Sequence, residues 1–430
     1  MKSSKVSYNG TEESEAELMI RLLHLSDIHL NTGFANKNPY VRERLKGGLW
    51  RSFERACHYV IQEKIDGLLL VGDVFDHGQI SYALERQCVT LIKKLLEAKR
   101  HVFYVTGNHD PMHTAPFLEI FKKDTYMHFF VNDEIIREVV TFSSGEICEF
   151  VGCGHKSKNE QRDLIATYPV KTTPHYWVGL AHASVSSAQT RLDKMAYMAS
   201  QRQTIEQLHY DYFALGHIHI RQAISSRIAY SGNIQGLNYK ETGDKGGLLI
   251  TLDNQNVTMT SISFNEIQWE TCDYVIDASM TSLADIEKAI LNAITMHIEG
   301  VPFAANRIIV RVHLKGKSKC YHLLKQADTL SDIGEGLANT IGLLHVDLKD
   351  MGLSHSVDEA ALKSETTILS TALNMMEEPE KYPVLLKELY SQPSFEGITS
   401  DALKRERLEK LLTGARTELI DRMVKVTYDY

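Results

Sequence analysis

Gly67-Leu-Leu-Leu-Val-Gly-Asp-Val-Phe-Asp-His-Gly78 is a short apolar run closed by a glycine and an aspartate, and its reading decides the fold. A run of this length without polar alternation predicts a strand buried on both faces, as in a parallel sheet covered by helices. The same construction recurs on either side. Residues 20–25 lead into Leu25-Ser-Asp-Ile-His29, and residues 101–106 lead into Gly107-Asn-His-Asp110. Further along, residues 177–181 end at His182, and residues 212–216 end in Gly216-His-Ile-His219. Helical patterns separate the first three runs: Leu45, Leu49, Phe53, Cys57 and Val60 share one face, and residues 82–98 form a second helix. The β-α-β-α-β alternation implies a parallel sheet with right-handed crossovers. Ligands of such sheets sit beyond the carboxyl ends of the strands, where these polar side chains fall.

Asp27 and His29 offer an anionic oxygen and an imidazole to one cation, with His219 completing that set. Asp73 is placed to lie between two cations, and Asn108, His182 and His217 would complete the second set. A mixed oxygen and imidazole set suits Mn²⁺, Fe²⁺ or Zn²⁺. Two divalent metal ions ~3.5–4 Å apart suit phosphoester hydrolysis. His109 differs from the others: followed by Asp110, it is expected to be oriented by that carboxylate, kept protonated and used as a general acid. Any one of these histidines alone would more often be a plain core or surface residue. The matches in order are what carry the reading, and His24, His101, His155 and His209 read as ordinary.

The chain has 430 residues, too many for one comfortable core. Its 47 basic and 55 acidic side chains leave a net charge of −8, which argues against general attraction for polyanions, so any nucleic-acid contact must be local. The 6 cysteines form no C-x-x-C pair, which points away from a disulfide framework or structural zinc and towards a reducing, cytoplasmic setting. No apolar run approaches the ~20 residues of a membrane span, and the N-terminus lacks a signal-peptide core.

The expected class is α/β (α+β), a β-sandwich of two packed sheets flanked by helices. Residues 1–18 carry an acidic run and read as a disordered arm; 19–265 form the catalytic domain. Residues 266–350 read as a small α/β cap, with strands at 267–275, 307–314 and 343–348 and helices at 281–297 and 329–340. Residues 351–430 are helix-rich, with breaks at Pro379, Pro383 and Pro393. Within the catalytic domain, 129–151 predict further strands about a turn at 143–145, and 228–233 with 247–252 predict a closing antiparallel pair. The apolar stripe of 401–426 suits either docking on a partner's coiled coil or packing within the chain.

With D-x-H, G-D-x-x-D, G-N-H-D, a lone His182 and G-H-x-H in order, the chain resembles the calcineurin-like metallophosphoesterases. Gly72-Asp-Val-Phe-Asp-His-Gly78 followed by Ser81-Tyr-Ala83, then Ala214 to His219, Tyr230-Ser-Gly-Asn233 and Lys245-Gly-Gly247 make it similar to their DNA-repair nuclease branch, bacterial SbcD and the YhaO group. The resemblance implies a dinuclear site, usually studied with Mn²⁺, built by Asp27, His29, Asp73, Asn108, His182, His217 and His219, with His109 acting on substrate. It also implies DNA as substrate, an SbcC-like coiled-coil ATPase as partner, a homodimer, and a capping domain matching 266–350. Archaeal and eukaryotic members carry a histidine where Asp76 stands here, which makes His77 the candidate replacement in holding DNA. Gly232 and Asn233 are candidates for close approach to the substrate backbone, and Met19 is an alternative start. The expected function is a metal-dependent DNA exonuclease or endonuclease in repair. The alternatives are an enzyme for small phosphoesters and a non-catalytic scaffold with a retained metal site.

Overall fold

The computed structural model describes residues 19–35, 37–76, 79–186, 197–254, 256–356 and 359–427, so the 1–18 arm and His77 lie outside the described residues. The chain divides into two compact units between Gln268 and Trp269. The first unit runs β1 (Met19–Leu25), α1 (Pro39–Gln62), β2 (Gly67–Val71), α2 (Tyr82–Glu97), β3 (His101–Val105), β4 (Met127–Phe130), β5 (Ile136–Thr141), β6 (Ile147–Gly152) and β7 (Tyr176–His182). It continues through β8 (Val185–Ser186), β9 (Ser200–Gln201), α3 (Arg202–Glu206), β10 (Tyr212–Gly216), β11 (Gln222–Ala223), β12 (Ile228–Tyr230), β13 (Gly246–Asp253) and β14 (Asn256–Ser263).

Among the described residues these strands form two six-stranded sheets, ordered β14-β13-β1-β2-β3-β4 and β11-β12-β10-β7-β6-β5, beside the β8-β9 ribbon. β1, β2, β3 and β4 are parallel, and so are β6, β7, β10 and β12. Side-chain parity shows how the layers stack, because successive residues of a strand face opposite sides. Leu68 and Leu70 of β2, with Val102 and Tyr104 of β3, join the core shared with α1 and α2. Leu69, Val71, Phe103 and Val105 enter a different core, where they meet Phe150, Val178, Leu180, Tyr212 and Ala214 of the other sheet. The Phe103 and Phe150 rings stack there at 3.8 Å between centroids. Truncating such a ring to alanine typically costs about 3–5 kcal/mol. On the outer face of the second sheet, Trp177, Ala181, Phe213 and Leu215 form a third core with Ile165, Tyr168 and Tyr210.

Both crossover helices start where the sequence supplies caps. The Asn38 side chain accepts from Val41 N at 2.9 Å before Pro39 opens α1, and Ser81 caps α2 through Leu84 N at 3.3 Å. α1 buries Leu45, Leu49, Phe53, Cys57 and Val60, the stripe expected from the sequence.

The closing pair is different from the expectation. β12 lies parallel to β10 in the second sheet, whereas β13 pairs antiparallel with β1 in the first. The antiparallel neighbour of β13 on its other side is β14, joined to it as a hairpin. Periodicity marks a strand but leaves its partner undefined, and the choice here follows burial: Leu248, Ile250 and Leu252 of β13 complete the inter-sheet core beside Ile20 and Leu22 of β1.

The second unit comprises β15 (Gln268–Ile276), α4 (Leu283–Ile298), β16 (Ile308–Ser318), α5 (Tyr321–Leu324), α6 (Thr329–Ile341), β17 (His345–His355), α7 (Glu359–Ser364), α8 (Ile368–Glu377), α9 (Pro383–Tyr390) and α10 (Asp401–Thr427). Its sheet is ordered β15-β16-β17. Ile286, Ile290 and Ile294 of α4 pack against Val310, Val312 and Leu314 of β16. Leu369 and Leu373 of α8 meet Ile420 of α10, so α10 packs within the unit through at least part of its apolar face. Among the described residues no helix is long and apolar enough to cross a membrane.

Candidate metal centre

Four polar residues at the strand exits of the first unit adopt backbone angles that side chains rarely tolerate: φ is 52° at Asp27, 55° at His29, 52° at Asp73 and 100° at His217. Such outliers persist only where surrounding structure over-determines them, and they concentrate at functional sites. The surroundings here are explicit. Asp27 N donates to Gly72 O at 3.1 Å, Ile28 N and His29 N both donate to Asp73 O at 2.8 and 3.0 Å, and His217 N donates to the Asp27 carboxylate at 3.1 Å.

The side chains converge on one cluster. Asp27, His29 and His219 place ligand atoms within 4.8 Å of one another, and so do Asp27, Asp73 and His182. Nε2 of His29 lies 3.2 Å from Nε2 of His219, with the Asp27 carboxylate 3.8 Å from the latter. On the other side, Asn108 Oδ1 lies 3.1 Å from His182 Nε2 and 3.2 Å from His217 Nδ1. Asp73 Oδ2 faces both halves, 3.9 Å from His29 Nε2 and 3.2 Å from His182 Nε2, while its Oδ1 accepts His109 N at 2.8 Å. For metal–ligand bonds of ~2.1 Å, neighbouring donors in an octahedron stand ~3 Å apart, so the short separations fit donors sharing a cation. Asp27, His29, Asp73, Asn108 and His182 are nearly or fully buried. Room for His182 depends on Gly216, since a Cβ there would stand 2.0 Å from Val71 O and 2.5 Å from His182 Nδ1.

Electrostatics agree with this need for positive charge. Burial opposes charge on Asp73, yet His182, His29 and His109 hold its carboxyl well below the usual range. Burial equally opposes protonation of His182, and Asp73 nevertheless lifts it to about 9. A carboxylate and a ring nitrogen this close require a proton or a cation between them. Outside the cluster, His24 of β1 is pushed down to about 3 by burial and pairs with Tyr212 Oη at 2.8 Å, which makes it a neutral core residue.

Two expectations change. Asp110 does not orient His109: its carboxylate is fully buried and accepts Gly107 N, Asp73 N, Val74 N and Phe75 N at 2.7–3.2 Å, clamping two strand exits together. The partner of His109 is Asp76, whose Oδ1 lies 2.6 Å from His109 Nδ1, and that bond raises the His109 pKa. Asn31 holds Asp76 in turn, accepting Asp76 N at 2.6 Å and donating to Asp76 O at 3.1 Å. Gly232 and Asn233 are both buried against the backbone of His219. A Cβ at Gly232, where φ is 72°, would stand 2.6 Å from Arg221 N, and Asn233 is fully buried with its N–H on His219 O at 3.1 Å.

Two residues without a sequence signal also touch the cluster. His155, fully buried, places Nε2 2.7 Å from the carbonyl of His182, and Glu241 Oε1 lies 3.0 Å from His219 Nδ1.

A two-sheet sandwich whose strand exits gather carboxylate, amide and imidazole donors in this way defines a metal-dependent phosphoesterase. Residues 20–221 match the family described as calcineurin-like phosphoesterase, and the chain carries a calcineurin-like metallophosphoesterase domain. It is 24% identical to "Uncharacterized metallophosphoesterase YhaO" of Bacillus subtilis over 327 residues, covering 74% of this chain and 77% of that protein. It is 22% identical over 282 residues to the DNA double-strand break repair protein Mre11 of Methanopyrus kandleri, covering 60% of each. The Mre11 of Sulfurisphaera tokodaii is 23% identical over 262 residues, 57% of this chain and 63% of that protein. The YhaO alignment spans more of the chain than the first unit holds, so that likeness extends into the second unit.

Proposed function

We propose that the protein is a metal-dependent phosphodiesterase that cuts DNA. The observation that carries this reading is the pair of donor sets sharing Asp73 Oδ2, with His109 held beside them by Asp76. Asp27, His29 and His219 would hold one divalent cation, Asn108, His182 and His217 the other, and Asp73 both. Mn²⁺ is our first choice, and Fe²⁺ or Zn²⁺ suits the same donors. Such a pair supplies Lewis acidity to a phosphoryl oxygen and lowers the pKa of an attacking water.

The chain's own residues do the rest. With Nδ1 engaged by Asp76, His109 would hand a proton from Nε2 to the departing alkoxide. Asp110 keeps the exits of β2 and β3 at fixed spacing, so the general acid and the cations act on one phosphate.

DNA as substrate is supported by the Mre11 relatives, named for double-strand break repair. An SbcC-like ATPase as partner, a homodimer and a cytoplasmic location complete the proposal. The cysteines are all free and mostly buried, which suits a reducing compartment. The net charge of −8 favours the competing reading, a small phosphoester as substrate. End-labelled single- and double-stranded DNA, and bis-p-nitrophenyl phosphate, would be incubated with Mn²⁺, with EDTA and with the His109→Asn variant. We expect Mn²⁺-dependent cutting of DNA that vanishes in the variant. Fast hydrolysis of the small diester with intact DNA, even when an SbcC-like partner is added, would establish the small-phosphoester reading instead.

A further inference from the structure

The segment after β12 bends round the back of His219. Asn233 N donates to the His219 carbonyl at 3.1 Å, and the buried Lys245 reaches the same carbonyl with Nζ at 3.3 Å. Between these two points Glu241 turns its carboxylate onto the ring, with Oε1 3.0 Å from Nδ1. Its side chain is only 11% exposed, which leaves little of it for substrate.

The chemistry of this pocket specifies an ionised carboxylate. Oε1 also accepts Asn238 Nδ2 at 2.8 Å, and Oε2 accepts Asn233 Nδ2 at 2.6 Å and Leu237 N at 2.8 Å. The orientation of each amide is settled by a second bond: Asn238 Oδ1 accepts Lys240 N at 2.9 Å, and Asn233 Nδ2 also donates to Gln235 O at 2.9 Å. The three amide neighbours all donate, an environment that suits an acceptor-only carboxylate and leaves Oε1 to accept from the His219 ring as well. It follows that His219 carries its proton on Nδ1 and turns the Nε2 lone pair towards His29 Nε2 and Asp27. His182 is supported differently, since its Nδ1 faces the neutral carbonyl of Val71 at 3.0 Å. A carboxylate behind an imidazole raises its basicity as a ligand more than a carbonyl does.

We propose that Glu241 is a positioning residue that fixes the tautomer and ligand strength of His219, and so sets the affinity of the cation held by Asp27, His29 and His219 without governing the other. This rests on the metal-centre reading above. It makes the two sites unequal by construction, one tuned by a buried anion and the other by the backbone.

The test is calorimetric titration of Mn²⁺ into the metal-free full-length protein, with melting temperatures recorded in EDTA. Glu241→Gln places an NH₂ where two donors converge, and Asn238→Ala removes one donor to the carboxylate without touching its charge. Wild type is expected to take up two equivalents. In Glu241→Gln one of them should weaken about 10–100-fold, the usual effect of losing a partner behind a metal ligand, while the other stays within about threefold. Asn238→Ala should leave both affinities within about threefold even if its melting temperature drops. Equal affinities in wild type and Glu241→Gln would overturn the inference alone. So would loss of the same site in Asn238→Ala to the same degree, because an intact strap, and not the carboxylate, would then be the cause. A wild-type protein that binds no Mn²⁺ would instead sink the metal centre itself, and this inference with it.

Discussion

The two six-stranded sheets meet at one cluster but bring different chemistry to it. β1, β2 and β3 of the first sheet lead into Asp27, Asp73 and Asn108, the oxygen donors, together with His29 and His109. β7 and β10 of the second contribute imidazoles, His182, His217 and His219. The backbone distortions divide in the same way, with Asp27, His29 and Asp73 at positive φ on one side and His217 on the other. The first sheet thus carries the negative charge that attracts cations, and the second carries neutral donors that complete their coordination. Neither set suffices alone, so the inter-sheet core that locks Val71 and Val105 against Val178 and Leu180 is part of the site's construction.

The largest expected effect tests that division. Asp73→Asn keeps the shape of the side chain and removes the charge both halves face. It should abolish uptake of both cations and lower hydrolysis of a phosphodiester by at least ~10³-fold, equivalent to several kcal/mol of transition-state stabilisation. His217→Asn, on the second sheet, should release one cation and cost less. Equal loss of metal in the two variants, read by elemental analysis after gel filtration, would break the comparison. Next in size is His109→Asn, which should reduce kcat by about 10²–10⁴-fold, the range of general acid catalysis, with both cations still bound. If the metal content fell as well, His109 would be a ligand and not a proton donor.

A smaller effect is expected from Asp76→Asn. The residue meets His109 at 2.6 Å, comes within 3.9 Å of His29 Nδ1 and is not among the donors assigned to either cation, so kcat should fall about tenfold with KM and metal content unchanged. A loss as deep as that of His109→Asn would mean that Asp76 does more than orient the ring. This variant also bears on how legible the site was. The motifs marked the strand exits and the donor types, because the exits follow from runs of apolar residues and the donors from their identity. Pairing was hidden. Sequence adjacency favoured Asp110 as the partner of His109, but neighbouring side chains in a turn diverge, and Asp110 points back into the backbone amides of residues 73–75. Glu241 stood in an undistinguished Asn-Tyr-Lys-Glu stretch, and its meeting with His219 across 22 positions comes from a loop whose course no periodicity records. β14 escaped for a related reason: it alternates half-buried and exposed residues at a sheet edge, so it lacks the continuous apolar run that revealed β2 and β3.

The same residue type behaves oppositely at the other end of the first sheet, which yields the smallest and most general prediction. His101 opens β3 and His128 lies beside it on β4, with His101 Nδ1 3.0 Å from His128 Nε2 and the His128 ring stacked on Phe103 at 4.5 Å. Burial pushes His101 down to about 4, helped by the charges of His128 and Arg100, and burial likewise pushes His128 to about 4. An unfolded histidine takes up its proton near pH 6.5, so these folded rings bind fewer protons between pH 6.5 and 4. Their contribution to stability is complete above pH 6.5 and is lost progressively as pH falls towards 4. Both rings keep some contact with water, so we assign the pair only about 1–2 kcal/mol between pH 7 and 5, or a few degrees of melting temperature. Replacing both by leucine should flatten the pH dependence of the melting temperature measured in EDTA, whatever it does to the value at pH 7. His24 and His155, also depressed by burial, would contribute to the slope that remains. An unchanged slope would mean that these rings take up protons in the fold as readily as in the unfolded chain, and that the contrast between charged strand exits and neutral strand starts does not hold.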